Sequence, residues 1–280
     1  MDFHPMRRYL ESEISKALNP NAAPKTVTSE SHPLNVSWIE PCQIAAGGRL
    51  GLTSCPGKHI SARDGTLYRR DLHADLARLR QVHGVHAVVC LLPEAELRYL
   101  KVRNYAAAVE KHDMEYLQLP IIEMTAPSDL LLAISLVEAV AAHLQAGRTV
   151  IMHCKCGVGR AGLMAACVLL RLGVCSSAAE AIATVRRHRR GAVESRRQEA
   201  FVATYCGALG GSGLDGGGGG DLDAKGGLGA DVAPPPVSIS EGFVRQRSLP
   251  GVVASSGVAT SVEPTEALAT ATEGMHGGDG

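Results

Sequence analysis

The chain has 280 residues and a mass of 29.3 kDa, with 45% hydrophobic and 20% charged residues. That is enough apolar material for at least one full core and too much for a chain disordered throughout. Its 28 basic and 28 acidic residues cancel, so global charge gives no argument for nucleic-acid or membrane binding. The distribution is uneven: an acidic stretch from Ala208 onward follows a mildly basic part, a balance that suits a protein handling an anion.

In chain order, residues 1–32 are polar, with a short helical pattern over 7–18 followed by Pro20 and Pro24, and are expected to form a loosely attached arm. Strand-like runs at 35–39 and 49–53, separated by Pro41 and Gly47-Gly48, predict two strands with a tight connection. Asp71 is placed to cap a helix whose apolar positions Leu72, Leu76, Leu79 and Val82 recur at helical spacing and which Gly84 ends. The apolar run 87–92 predicts a buried strand, followed by helices near 94–100 and 104–112 and a further strand at 115–119. Ser128 is expected to cap a long helix running to Gln145. Its apolar stretch, interrupted by Ser135, Glu138 and His143, is too polar and short for a membrane span.

Thr149-Val150-Ile151-Met152 then reads as an apolar strand running into a glycine-bearing loop and a helix over 159–172, with helices at 177–188 and 195–205 to follow. Strands alternating with helices predict an α/β fold with a largely parallel central sheet flanked by helices. Beyond Ala208 come the glycine run 216–220 and the proline run 234–236. Such composition cannot offset its ordering entropy, so 208–280 is expected to be a disordered tail and 33–207 the folded domain.

The N-terminal residues lack the apolar core of a signal peptide, so the eight cysteines are expected as thiols in a reducing compartment, the cytoplasm or the nucleus. Cys154-x-Cys156 has no second pair to complete a zinc site, so neither metal nor cofactor is expected.

The chemistry is read from His153-Cys154-Lys155-Cys156-Gly157-Val158-Gly159-Arg160, between strand and helix. A strand that turns sharply into a helix aims successive backbone N–H groups and the helix N-terminus into one concavity, which binds tetrahedral anions. A cysteine at its base feels the same positive potential, which favours the thiolate, a nucleophile. Arg160 offers a planar fork to two phosphate oxygens, and Gly157 and Gly159 allow the tight backbone. A buried cysteine beside a surface arginine is the plainer account, and the strand-loop-helix context outweighs it.

These residues resemble the His-Cys-x5-Arg signature of the cysteine-dependent tyrosine and dual-specificity phosphatases, in particular the cyclin-dependent kinase-associated branch. Cys55-Pro56-Gly57-Lys58, Arg70-Asp71-Leu72 with Asp75-Leu76, Glu96-Leu97, Leu119-Pro120-Ile121, the 162–170 helix and Gly191-Ala192-Val193 followed by Gln198 and Phe201 extend the resemblance over about 34–206. It implies a protein phosphatase acting through a cysteinyl-phosphate intermediate on phosphotyrosine, with phosphoserine and phosphothreonine as further substrates and a kinase among its phosphoprotein partners. Cys154 would attack phosphorus, Arg160 and the amides of Lys155, Cys156, Gly157, Val158 and Gly159 would hold the phosphoryl group, and His153 would tune the nucleophile. Gln198 stands where a water-positioning glutamine is expected.

Two positions depart from the family pattern. The general acid, an aspartate in the family, matches Glu123, thirty-one residues before Cys154, with Asp129 as the fallback. Ala161 replaces the Ser or Thr that follows the arginine, so the second step loses a hydroxyl donor. They leave open a weakly active or inactive phosphoprotein-binding pseudophosphatase, and Lys155 leaves open a phosphoinositide or small-phosphoester phosphatase. Cys156 is expected as a small core-facing thiol, with Cys55 a candidate resolving thiol. The basic run 186–190 is expected to be a solvated helix end and no nucleic-acid site. Ser248, in Arg245-Gln246-Arg247-Ser248, would be an adaptor-binding site if phosphorylated.

Overall fold

The computed structural model describes residues 24–40, 47–62 and 64–211. These all fall in one compact unit, Met1–Gln246, while the second unit, Arg247–Gly280, lies outside the described residues, as do the expected helix over 7–18 and Ser248.

Eight strands are described: β1 (Thr26–Val27), β2 (Ser37–Trp38), β3 (Arg49–Ser54), β4 (His59–Ser61), β5 (Leu67–Arg69), β6 (Val85–Cys90), β7 (Glu115–Gln118) and β8 (Thr149–Cys154). The helices are α1 (Leu72–Gln81), α2 (Glu94–Tyr99), α3 (Tyr105–Lys111), α4 (Leu130–Gln145), α5 (Gly159–Arg171), α6 (Ala178–His188) and α7 (Arg196–Gly211). The central sheet has the order β2-β3-β8-β6-β7, in which β3, β8, β6 and β7 run parallel and the edge strand β2 is antiparallel to β3. All six residues of β8 are buried. Because successive strand residues point to opposite faces, both faces of the sheet are covered at its centre. Helices α1 and α3 pack on β6 and β7, and α4 and α5 on β8.

A second, three-stranded sheet, β1-β5-β4, was not foreseen from sequence. Its first strand lies inside the segment expected as the loose arm: Thr26 and Val27 pair in parallel with Leu67 and Tyr68, and Val27 is buried. At the other end α7 runs to Gly211, four residues past the expected boundary at 207.

Local chemistry sets the helix starts. Asp71 accepts the Ala74 N–H at 2.7 Å and Ser177 the Glu180 N–H at 3.2 Å. The α4 cap differs from expectation: Asp129, one residue beyond Ser128, accepts the Leu131 and Leu132 N–H groups at 2.8 and 3.2 Å, worth about 1 kcal/mol. The core is thickest around α5, whose residues from Gly159 to Leu170 are all buried. Each fully buried Leu or Met there contributes roughly 1.5–3 kcal/mol. Buried Asp75 accepts Arg70 in two bonds of 2.8 and 2.7 Å and the Gly57 N–H at 2.9 Å. This fixes the turn after β3 beside the end of β8.

No helix among the described residues is long and apolar enough to cross a membrane, and they hold no group of three or more His, Cys, Asp or Glu suited to a metal ion.

Candidate active site

The site lies at the C-terminal ends of the central parallel strands. β8 delivers His153 and Cys154 there, between β3 and β6, and α5 starts five residues after Cys154. Gly157 makes the intervening turn at φ +70°, and a Cβ on it would lie 2.0 Å from the Thr53 carbonyl oxygen, so glycine is required twice over. Its N–H points back to Cys154 Sγ at 3.3 Å. Val158, at the start of α5, offers no side-chain cap, and the Gly159 N–H is taken instead by the Glu194 carboxylate.

Arg160 is nearly inaccessible, and its fork is already aimed. It donates to both Glu96 oxygens at 2.7 and 3.0 Å and to the Ile121 carbonyl at 2.8 Å. The Glu96 carboxylate pushes the guanidinium pKa upward against desolvation, the largest influence, which lowers it. Two parallel bonds fix the plane of the guanidinium. Glu96 lies in a segment that resembles the family, but its pairing with Arg160 joins residues 64 positions apart and is invisible to local pattern.

Arg189 was also missed. The basic run is not a solvated helix end throughout. Arg189 donates to the Gly157 and Cys156 carbonyls at 3.0 and 2.7 Å and to Ser37 at 3.2 Å, and Arg186 donates to the Ala192 and Val193 carbonyls and to Glu199. Holding the loop's carbonyls from outside leaves its N–H groups to turn inward.

His153 is wholly buried, edge-on to Tyr105 at 5.3 Å, with Nδ1 3.4 Å from the Cys154 carbonyl. Burial pushes its pKa down to about 4. It is therefore neutral at physiological pH and acts by packing and through the Cys154 backbone. Cys156 is exposed, contrary to the core-facing thiol expected. Cys55 is buried, burial holds its thiol well above the ordinary range, and its Sγ lies 3.4 Å from the Pro56 carbonyl. A protonated thiol is a poor resolving nucleophile.

Glu123 is exposed on the loop after β7, and its Oε1 lies 3.5 Å from Lys155 Nζ, which bridges it to the rim of the phosphate loop. Three carbonyls of the Glu123 loop are tied down: Ile121 by Arg160, Met124 by the Ser195 hydroxyl at 2.9 Å and Thr125 by the Gln198 amide at 3.1 Å. Gln198 is buried, and its Oε1 also accepts the Glu194 N–H at 2.8 Å, so it braces two loops. Asp129, the fallback acid, is committed to its helix cap, accepting the Leu131 and Leu132 N–H groups. Ala161 is fully buried behind the loop with no hydroxyl to offer. A further carboxylate escaped the sequence reading: Glu194 accepts the Gly159 N–H, and a Cβ at Gly159 would lie 2.3 Å from its Oε2.

A strand-end cysteine under a glycine-turned loop, with a clamped arginine in the first turn of the following helix, defines a cysteine-dependent phosphatase of the tyrosine and dual-specificity class. Residues 12–182 match the model of the family described as Cyclin-dependent kinase inhibitor 3 (CDKN3), and the chain belongs to that family. It is 28% identical over 180 residues to the pig protein Cyclin-dependent kinase inhibitor 3, covering 64% of this chain and 82% of the relative. The human protein of the same name is 27% identical over the same shares. Among solved structures, kinase associated phosphatase (KAP), with its catalytic-site cysteine replaced by serine, superposes with a TM-score of 0.58 at 25% identity, over 64% of this chain and 97% of that one. The chain is a protein phosphatase of the dual-specificity class.

Proposed function

We propose that this site hydrolyses phosphotyrosine, phosphoserine and phosphothreonine in proteins in two steps, with Cys154 as nucleophile and Glu123 as acid. The observation that carries the reading is the Arg160 fork, set by Glu96 in the first turn of α5 beside the loop whose Gly157 N–H reaches Cys154 Sγ. The phosphoryl group sits in the concavity between them, held by Arg160 and by the amides of residues 155–158, the Gly159 N–H being given to Glu194. Cys154 Sγ attacks phosphorus, the bond to the leaving oxygen breaks, and Glu123 gives that oxygen its proton. Water then attacks the cysteinyl-phosphate, the S–P bond breaks and phosphate departs.

The substrate in this reading is a phosphoprotein, and the relatives' names, Cyclin-dependent kinase inhibitor 3 and kinase associated phosphatase, support a kinase as that partner. Lys155 and the exposed Tyr99, Ile122 and Met124 surround the site with one cation and an apolar rim for the flanking residues of such a protein. The free thiols among the described cysteines support placement in the reducing cytoplasm.

The test is turnover of phenyl phosphate and of phosphotyrosine, phosphoserine and phosphothreonine peptides. Cys154→Ser abolishes it, and Glu123→Gln lowers kcat about a hundredfold, the scale of general-acid catalysis. Equal release by wild type and Cys154→Ser removes the nucleophile, and an unchanged rate and pH profile in Glu123→Gln removes the acid. Preferential turnover of phosphoinositide over every phosphopeptide overturns the substrate class.

A further inference from the structure

We propose that Glu194 is a second catalytic carboxylate of this site, the general base for the water that breaks down the cysteinyl-phosphate. The inference rests on the two-step reading above and divides its acid–base work between two side chains.

The first observation is placement. Glu194 lies in the short connection between α6 and α7, directly after Val193, which sits at φ +58°. A β-branched residue in the left-handed region is costly and persists only where its surroundings over-determine it, and such outliers cluster at functional sites. Here the surroundings are explicit: Arg186 donates to the Val193 carbonyl at 2.9 Å, and Gln198 Oε1 accepts the Glu194 N–H at 2.8 Å. The strained turn brings the carboxyl group onto α5, where it accepts the Gly159 N–H. The fit leaves no room for a side chain at 159: a Cβ there would stand 2.3 Å from Glu194 Oε2 and 3.1 Å from both terminal atoms of Gln198.

The second observation is chemical. Gly159 belongs to the loop that holds the phosphoryl group, and a carboxylate is the wrong group for holding an anion. Its use at that position is proton transfer. Glu194 is exposed as a residue, yet desolvation against the loop raises its pKa, and nearby Glu123 raises it further, while the Gly159 N–H and Arg160 oppose them. The groups it faces are therefore Glu123 from the loop after β7, Arg160 and Gly159 from α5, Cys156 from the phosphate loop and Gln198 from α7. A carboxylate whose proton affinity is raised is a better base.

The third observation is the state of the other carboxylate. Glu123 is exposed and bridged to Lys155 at the rim, a position suited to meeting a leaving oxygen that points outward. The two carboxylates thus meet the same short loop at Lys155 and at Gly159, with Glu123 near enough to raise the proton affinity of Glu194. Ala161 supplies no hydroxyl to stabilise the departing thiolate, so the second step depends more heavily on removal of the water proton. In that step the water oxygen bonds to phosphorus as the S–P bond breaks, its electron pair returns to Cys154 Sγ, and the water proton passes to Glu194.

The experiment is rapid mixing of the full chain with p-nitrophenyl phosphate, with acid quenching to trap phosphocysteine. Glu194→Gln keeps the volume and an acceptor for the Gly159 N–H, so the loop stays in place. Its expected behaviour is a burst of p-nitrophenolate equal to the enzyme concentration at the wild-type rate. A steady rate tenfold to a hundredfold below wild type follows, with trapped phosphocysteine accumulating and the acidic limb of the breakdown rate lost. Glu194→Asp restores part of that limb. Three results overturn the proposal: no burst with an unchanged steady rate, equal slowing of both steps, or faster turnover, the last marking Glu194 as a competitor of phosphate. Cys154→Ser in the same assay separates the two claims, because retained turnover there sinks the two-step reading itself, whereas Glu194→Gln judges only the base.

Discussion

Acidification from pH 7 to pH 4 will destabilise the domain through His153. Its ordinary pKa is 6.5, and burial depresses it to about 4 in the folded protein. Between those values the unfolded chain binds the proton and the folded one does not, so stability rises with pH across that window. The contribution is fully present above pH 6.5, declines as pH falls, and is lost below about pH 4. At 1.36 kcal/mol per unit, a depression of about 2.5 units amounts to about 3 kcal/mol, a large share of a domain stability of roughly 5–15 kcal/mol. No discount for solvent screening applies, because the ring is 0% exposed and its Nε2 has no hydrogen-bond partner among the described residues. The assay is urea unfolding at pH 7, 6, 5 and 4, followed by Trp38 fluorescence, for wild type and His153→Gln. Carboxylates and the other histidines act on both proteins and cancel in the difference. Wild type should lose about 3 kcal/mol more than the variant, most of it between pH 6 and pH 4. Parallel loss in the two proteins would refute the assignment of a buried neutral imidazole. The same reasoning holds that an acidic limb near pH 6 in kcat/KM does not belong to His153.

Glu96→Gln removes the charge partner of Arg160 and one of its two parallel bonds. Steady-state kinetics should show kcat/KM down tenfold to a hundredfold. The stability loss should be only about 1–2 kcal/mol, below the cost of a fully buried pair because the Glu96 side chain is 23% exposed. Arg189→Lys cannot hold the Cys156 and Gly157 carbonyls together. Vanadate and phosphate should inhibit it about tenfold more weakly while thermal unfolding barely shifts, and unchanged inhibition would show that the brace is dispensable. Gly157→Ala forces a side chain into the Thr53 carbonyl at φ +70°, which should cost roughly 2–4 kcal/mol in denaturant unfolding and abolish turnover.

The parts of this protein legible in its sequence are those written in local pattern. The run from Thr149 into the 153–160 loop carries strand, turn and helix in consecutive residues, and the structure reproduces each. The cap at Asp71 was equally readable because donor and acceptor lie three residues apart. Asp129 displaced Ser128 because either side chain can cap and only the backbone path decides between neighbours. The three-stranded sheet had no signal: β1, β4 and β5 are two or three residues long, too short for an alternation to register. Glu96, Arg189 and Glu194 stayed hidden for a different reason. Each meets the loop or Arg160 from 32 to 64 positions away in the chain, and nothing in a solvent-facing composition distinguishes a charged residue that folds back from one that does not.

The three tethered carbonyls of the Glu123 loop carry a consequence for how this site can diversify. Ile121, Met124 and Thr125 are gripped through their main chain by Arg160, Ser195 and Gln198, while the side chains of Ile122 and Met124 stand 69% and 50% exposed. Anchorage that reads no side chain leaves those two positions open to any residue that tolerates the backbone. Evolution can therefore rewrite which phosphoprotein docks without disturbing the carboxyl group between them, and an engineer seeking altered target choice can randomise 122 and 124 while the reacting centre stays as it is.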